Sequence, residues 1–236
     1  SSGSGLFMYH FSSFWCCTLA LAVVSILWAD PLGLEPHPPA PDSGLDTKRV
    51  RVACVGDSIT QGRPFGKPWP ETLQEMLGLE YYVMNFGNGG KYMQKSTAHM
   101  FGTLAPYWST QTFEYASRCK PDIVTIALGT NDGRSWIWSP QVAQAFEEDY
   151  WSMIDHFRSL ETKPRVILLL PPPLYLEGAW HGMNQTIINH IIPAIITRIA
   201  QEHSTLEIVD VHTPFREHCP DFSQNDCEWI WQRHVC

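Results

Sequence analysis

The stretch "VACVGDSITQG", from Val52 to Gly62, contains the transition that decides the fold. A run of small apolar residues ends abruptly at Gly56, Asp57 and Ser58, so a buried strand is predicted to end there in a sharp turn. A turn of this composition is by itself an ordinary structural feature. The same geometry also presents a serine hydroxyl at the mouth of a sheet, where it can act as a nucleophile.

Five continuous apolar runs predict five strands that are buried on both faces. They begin at residues 50, 81, 122, 165 and 206 and read "VRVACVG", "YYVMNFG", "DIVTIALG", "RVILLLP" and "LEIVDV". Amphipathic helical patterns lie between them, at residues 69–77, in a stretch ending near residue 119, at 140–160 and at 185–203. Strict alternation of strand and helix predicts a parallel sheet covered by helices on both sides.

Three of the predicted strand ends carry glycine together with a polar residue. Ser58 follows the first strand, Gly90 lies in "NFGNGGKYM" after the second, and Asn131 lies in "LGTNDG" after the third. Sites in open parallel sheets form beyond the carboxyl ends of the strands, so these residues are expected to converge. A serine nucleophile needs a base and donors for the oxyanion that its attack creates. The backbone N–H groups of Ser58 and Gly90 and the side-chain amide of Asn131 would supply three such donors.

The three ordered blocks resemble the SGNH (GDSL-type) hydrolase family of esterases and lipases over about residues 49–215. "GDSIT" matches the first block with Ser58 as nucleophile, and "GTND" matches the third with Asn131 as oxyanion donor. "NFGNGG" resembles the second block with Gly90 as the oxyanion glycine, although Gly89 stands where the family often has Ser. The resemblance implies a three-layer α/β/α, flavodoxin-like fold with a five-stranded parallel sheet. It also implies ester hydrolysis through an acyl-enzyme, with no metal and no organic cofactor.

The fourth block of the family departs from its pattern in this chain. The family closes with Asp-x-x-His, in which the Asp orients the His that acts as base. Asp226 occupies the Asp position, but Trp229 stands where the His belongs, and the next histidine is His234. His212, beside the fifth strand, is interpreted as a structural or rim residue rather than the base. The chain as written is therefore expected to be a poor esterase with an otherwise assembled site.

The composition of the chain indicates which classes of partner the domain can bind. The 236 residues suffice for one good-sized core, and a net charge of −8 without a basic run argues against nucleic acid. Loops at residues 133–140 and 175–185 carry Trp136, Trp138 and Trp180, which would suit a sugar ring or an acyl chain. We expect a small ester substrate, an acylated sugar or lipid; the oligomeric state is left open.

Two other functions compete with an esterase. Because the fourth block lacks the expected His, the chain is also compatible with a non-catalytic binding module, or a truncated product, on the same scaffold. A flavin or nucleotide binder would share the fold class, but "GNGGKYM" is not followed by the Gly-Lys-Ser/Thr pattern of a phosphate-binding loop.

The N-terminal part of the chain predicts a targeting segment and a linker. Residues 1–29 contain no Lys, Arg, Asp or Glu and are largely apolar, which favours a signal peptide or membrane anchor over a buried domain helix. Residues 30–48 contain five prolines and predict a linker. The esterase domain is expected at residues 49–236, with an atypical end from about residue 227.

Secretion, or attachment to a membrane, follows as an expectation from that segment. The triplet Asn184-Gln185-Thr186 is a glycosylation sequon, and Cys219, Cys227 and Cys236 could form a disulfide whose pairing the sequence leaves open. Cys54 lies within an apolar strand and is expected to be an inert buried thiol.

Overall fold

One parallel sheet organises the part of the chain that the computed structural model describes, which is residues 23–24, 49–62, 67–95 and 105–220, with the backbone alone at 180 and 181. Its strands are β1 (Val50–Gly56), β2 (Tyr81–Gly87), β3 (Ile123–Ala127), β4 (Arg165–Leu169) and β5 (Glu207–Val209), in the order β2-β1-β3-β4-β5. Every neighbouring pair is parallel. The predicted five-stranded parallel sheet is confirmed.

Seven α-helices connect and flank these strands within the described residues. They are α1 (Ser58–Gln61), α2 (Trp69–Leu77), α3 (Gln111–Arg118), α4 (Pro140–Arg158), α5 (Ala179–Gly182), α6 (Ile192–Glu202) and α7 (His212–His218). Side-chain caps fix the starts of α3 and α4: Thr110 accepts a hydrogen bond from the N–H of Phe113, and Ser139 accepts one from the N–H of Val142. The helical pattern at residues 185–203 divides into a π-helical turn, Ile187–Ile191, and α6. Pro193 has no N–H to donate, which accounts for the change of hydrogen-bond pattern there.

Alternate residues of each central strand face opposite layers of helices. In β1, Ala53 and Val55 belong to the larger apolar core, whereas Val52 and Cys54 belong to the second. The larger core is completed by apolar residues of α3, α4 and α6, including Ala116, Phe146, Tyr150, Ile192 and Ile196. The second core is completed by Ile59 of α1, by α2 and by α7, including Trp69, Leu73 and Phe215. These two cores on either side of one sheet form the predicted three-layer α/β/α arrangement.

The second core also contains two residues from the N-terminal apolar stretch. Val23 and Val24 are helical, are 0% and 7% exposed, and pack in the cluster that contains Val52, Trp69 and Phe215. The remainder of residues 1–48 lies outside the described residues, so the interpretation of residues 1–29 as a leader or anchor and of 30–48 as a linker stays a prediction.

Substitution of Val23 by Asp tests whether this contact stabilises the domain. A carboxylate at a position with no exposure loses its hydration without gaining a partner, so we expect the free energy of unfolding to fall by about 3 kcal/mol. Leu79→Asp is the matched control, because Leu79 is 80% exposed. Chemical denaturation of the full chain measures both. Equal midpoints for the two variants would show that Val23 does not pack on the domain in solution.

Candidate active site

The end of β1 is shaped by close approach to the helix that follows. A Cβ on Gly56 would lie 2.0 Å from Oγ1 of Thr60 and 3.0 Å from the carbonyl oxygen of Ala127, so only glycine fits. Asp57 then caps α1, and its Oδ1 accepts a hydrogen bond of 2.9 Å from the N–H of Ile59. Ser58 is therefore the first residue of a helix that starts directly at the edge of the sheet, and it is partly exposed.

The glycine-rich loop after β2 lies directly against α1. A Cβ on Gly87 would lie 2.1 Å from the backbone nitrogen of Gln61, and one on Gly89 would lie 3.6 Å from Cβ of Ser58. The side-chain oxygen of Gln61 accepts a hydrogen bond of 2.9 Å from the N–H of Gly89. Gly90 follows with φ of 73°, in the left-handed region that favours glycine. The second block is thus held beside Ser58 by contacts with α1.

Asn131 joins the third block to the other two. It begins a 3₁₀ turn, Asn131–Gly133, beyond the end of β3, and it is 4% exposed. Its Nδ2 lies 3.3 Å from Oδ2 of Asp57 and 3.2 Å from the carbonyl oxygen of Lys91. These acceptors adjoin Ser58 and Gly90 in the chain, so the predicted residues Ser58, Gly90 and Asn131 come together. Both hydrogen bonds are long, and an oxyanion would compete with these acceptors for the amide.

Two further donors are available at this point. Within the part of the chain that the structure describes, the backbone N–H groups of Ser58 and Gly90 donate to no acceptor. The first N–H groups of a helix have no intrahelical partner, which explains the free donor at Ser58. Two backbone donors and one amide donor in adjoining loops are groups of the kind that stabilise an oxyanion in acyl transfer.

Arg134 is a functional candidate that the sequence reasoning missed. Its side chain is buried, and Nη1 donates to the backbone oxygen of Asn131 at 2.7 Å and to the hydroxyl of Tyr92 at 2.8 Å. Nη2 lies 3.3 Å from Oδ1 of Asn131. The signal in the sequence was a cation three residues after Asn131, a spacing at which a helical turn brings side chains together.

Two buried carboxyl groups accompany this arginine. Burial raises the pKa of Asp57 from 3.8 to about 7, against hydrogen bonds from the backbone and the charge of Arg134, which lower it. Burial likewise raises the pKa of Asp132 from 3.8 to about 7, although its carboxylate accepts hydrogen bonds from the N–H groups of Met93 and Gln94. The N–H bonds to Asp132 fix the chain after Gly90 against the turn that carries Asn131.

No base contacts the nucleophile in the described part of the chain. His212 begins α7, its Nδ1 lies 3.1 Å from the carbonyl oxygen of Pro171, and its buried Nε2 makes no hydrogen bond. No described side chain is hydrogen bonded to the hydroxyl of Ser58. The predicted Asp226, together with Trp229 and His234, lies outside the described residues, and its role stays a prediction.

A narrow apolar cleft lies between the segments that follow β1, β3 and β4. Its lining is Ile59, Trp69, Ala127, Thr130, Leu169, Leu170, Pro171, Pro172 and Val211. Ile59 follows Ser58 and Thr130 precedes Asn131, so the cleft adjoins both candidate residues. Trp136 stands nearby in the chain and is 56% exposed, whereas Trp138 packs against the larger core and the side chain of Trp180 lies outside the described residues. Apolar walls beside a nucleophile can hold the acyl part of an ester.

Three cysteines lie within the described residues, and they differ in their state. Cys54 is fully buried, and burial raises the pKa of its thiol to about 12, which makes it inert as predicted. Cys219 is disulfide-bonded, and its partner lies outside the described residues because Cys54 and Cys119 are free.

Among the described residues, no three His, Cys, Asp or Glu side chains are grouped to hold a metal ion, and no helix has the length and hydropathy to cross a membrane.

Comparison with known sequences identifies the family. Residues 54–228 match the family described as GDSL-like Lipase/Acylhydrolase, so the chain belongs to that family. It is 31% identical over 186 residues to an acetylxylan esterase of Xylanibacter ruminicola, a match covering 69% of this chain and 36% of that protein. It is 32% identical over 142 residues to the isoamyl acetate-hydrolyzing esterase 1 homolog of Bos taurus, covering 58% and 53%. The chain thus spans between a third and about half of the length of these relatives.

Solved structures share the fold. A carbohydrate acetylesterase from Sinorhizobium meliloti superimposes with a TM-score of 0.52 at 19% identity, covering 69% of this chain and 84% of that one. An acetyl xylan esterase superimposes with a TM-score of 0.54 at 21% identity, covering 72% and 81%. The α/β/α fold of SGNH hydrolases, implied by the three sequence blocks, is confirmed.

The raised pKa values of Asp57 and Asp132 predict a pH-dependent stability. Between pH 4 and 7 each carboxyl keeps its proton in the folded state but loses it in the unfolded state, so both groups make the free energy of unfolding fall as the pH rises. We expect Asp132→Asn and Asp57→Asn each to reduce that fall, and the double variant to reduce it further. Urea denaturation between pH 4 and 7 measures the slope, and an unchanged slope in both variants would contradict the assignment.

Proposed function

We propose that this domain is a serine esterase that cleaves short-chain carboxylic esters through an acyl-enzyme on Ser58. The observation that carries the proposal is the meeting of three loops at Asn131, whose amide contacts Asp57 beside Ser58 and Lys91 beside Gly90. Family membership supports the reaction class, since the matching family consists of lipases and acylhydrolases.

In the proposed reaction, the hydroxyl oxygen of Ser58 attacks the ester carbonyl and the proton of the hydroxyl passes to a base. The negative charge that develops on the carbonyl oxygen is stabilised by the N–H groups of Ser58 and Gly90 and by Nδ2 of Asn131. The alcohol leaves with a proton, and water then releases the acyl group from Ser58. The two hydrogen bonds that Nδ2 of Asn131 now makes, to Asp57 and to Lys91, are long and weak. The amide can therefore exchange these acceptors for the oxyanion, which supports the proposed reaction.

The apolar cleft beside Ile59 and Thr130 supports a short acyl group as the preferred substrate part. Pro171 and Pro172 form part of its wall, and the wholly buried Trp69 forms another part. Proline rings and a buried tryptophan in a close-packed layer do not yield to a long chain without cost. The names of the two relatives, an acetylxylan esterase and an isoamyl acetate-hydrolyzing esterase, support acetyl as the acyl group.

The alcohol part is proposed to be a sugar or another small alcohol. Trp136 follows Arg134 by two residues, in the segment that pairs with Met183, and exposes 56% of its surface. An exposed indole at the edge of a site provides a flat apolar surface on which a sugar ring can stack.

A non-catalytic scaffold is the second candidate, favoured by the observation that no described histidine contacts Ser58. Without a base, the donors and the binding site alone retain only about 10³–10⁴ of rate over water in a serine hydrolase stripped of its triad. The two candidate functions therefore predict different rates of ester hydrolysis: only the esterase predicts hydrolysis that is lost when Ser58 is replaced.

Hydrolysis of nitrophenyl acetate and nitrophenyl octanoate by the full chain tests the proposal. We expect the acetate to be cleaved with a kcat/KM at least about tenfold above that of the octanoate, which corresponds to about 1.4 kcal/mol of discrimination by the cleft. Ser58→Ala should abolish both activities, whereas Ser109→Ala, in a turn far along the chain, is the matched control. Hydrolysis that survives Ser58→Ala would contradict the esterase and favour the non-catalytic scaffold.

A further inference from the structure

The orientation of the Asn131 amide follows from the kinds of atom that surround it. A guanidinium group carries only donors, so the atom of Asn131 that faces Nη2 of Arg134 at 3.3 Å has to be the acceptor Oδ1. On the opposite side lies the carbonyl oxygen of Lys91, which can only accept and therefore requires the NH₂ group; Oδ2 of Asp57 lies 3.3 Å from the same Nδ2. Rotating the amide by 180° would turn donor against donor and acceptor against acceptor.

We propose that Arg134 is a positioning residue that holds the N–H groups of the Asn131 amide toward the loops of Ser58 and Gly90. Arg134 is 3% exposed, so it acts through Asn131 and touches no substrate. The inference rests on the proposed ester hydrolysis, in which Asn131 donates to the oxyanion. It adds the reason why that amide faces the nucleophile before any substrate is bound.

The arginine is itself fixed on several sides. Nη1 donates both to the backbone oxygen of Asn131 and to the hydroxyl of the fully buried Tyr92, and Cζ lies 5.3 Å from the centroid of the Tyr92 ring. The backbone of Arg134 pairs with Met183 in an antiparallel bridge. Because the guanidinium is planar, fixing Nη1 also fixes the direction of Nη2, and a flexible ammonium cannot reproduce this fork.

A purely electrostatic role is the competing explanation. Arg134 lowers the pKa of Asp57 by its charge, against the larger effect of burial, and it also interacts with Asp132 and Tyr92. A charge-only role would be preserved by lysine, and its effect on catalysis would be independent of the side chain at position 131. A positioning role disappears when the amide it orients is removed.

A double-mutant cycle between positions 131 and 134 separates the two roles. Single-turnover acylation of the full chain by nitrophenyl acetate, with enzyme in excess, gives a rate and a half-saturation concentration for each variant. We expect Asn131→Ala to lower the acylation rate by about 10²–10³. We expect Arg134→Met to lower it by about tenfold with little change in half-saturation, and Arg134→Met in the Asn131→Ala background to add less than about twofold. Arg134→Lys should restore only part of the loss.

A second measurement reads the orientation without relying on turnover. The side-chain amide protons of Asn131, assigned by their disappearance in Asn131→Ala, should give one pair of resonances in the native chain. In Arg134→Met the pair should double or broaden as the amide samples both orientations. Tyr92→Phe is the matched control, because it removes one bond to Nη1 and leaves the contact between Nη2 and Oδ1.

The outcomes distinguish failure of the inference from failure of the proposed function. If Arg134→Met lowers acylation equally in both backgrounds, or if Arg134→Lys acylates at the native rate, Arg134 does not act through Asn131. A single unchanged pair of amide resonances in Arg134→Met also rejects the inference, and Arg134→Lys serves for that measurement if the methionine variant does not fold. If Asn131→Ala acylates at the native rate, the oxyanion role in the proposed function fails instead.

Discussion

The contact between the Asn131 amide and the loops of the first two strands is the interaction on which the site depends. Parallel strands bring their carboxyl ends to one edge of the sheet, but this alone does not fix the loops relative to one another. The hydrogen bonds from Nδ2 of Asn131 to Asp57 and to Lys91 join the loops after β1, β2 and β3. Glycine makes the approach sterically feasible, since a Cβ on Gly56 or Gly87 would come within 2.1 Å of a neighbouring atom.

The site assembled in this way buries charge, and its electrostatics follow from that. Asp57 and Asp132 are almost fully buried, and Arg134 lies beside them at 3% exposure. The charge of Arg134 interacts with both carboxyl groups, and at Asp57 it opposes the rise in pKa that burial causes. Hydrogen bonds from Ile59, Met93 and Gln94 to the carboxylate oxygens fix the loops through these same groups. The proposed preorganisation of the oxyanion donors and the local stability of the loops therefore depend on one set of buried polar contacts.

The sequence predicted the sheet and the convergence of the site, but not the contacts that hold the site together. The bounds of β1 and β2 were predicted to the residue, whereas β3, β4 and β5 end before their apolar runs do. Leu128 and Leu170 follow the last residues of β3 and β4 and are as buried as the strands themselves. Apolar character alone therefore does not show where a buried strand ends. Arg134 was missed because a lone arginine after a turn reads as a surface cation, and only the packing around Tyr92 shows that it points inward.

The most direct test of the account is to react the full chain with an alkyl fluorophosphonate and to locate the adduct by mass spectrometry. The account predicts a single adduct, on Ser58, because this serine has the donors for a tetrahedral oxyanion beside it. The strongest competitor is Ser117, whose hydroxyl lies 2.8 Å from Nε2 of His156. Ser117 is not expected to react because its hydroxyl donates to the carbonyl oxygen of Phe113. An adduct on Ser117, or on any serine other than Ser58, would contradict the central claim.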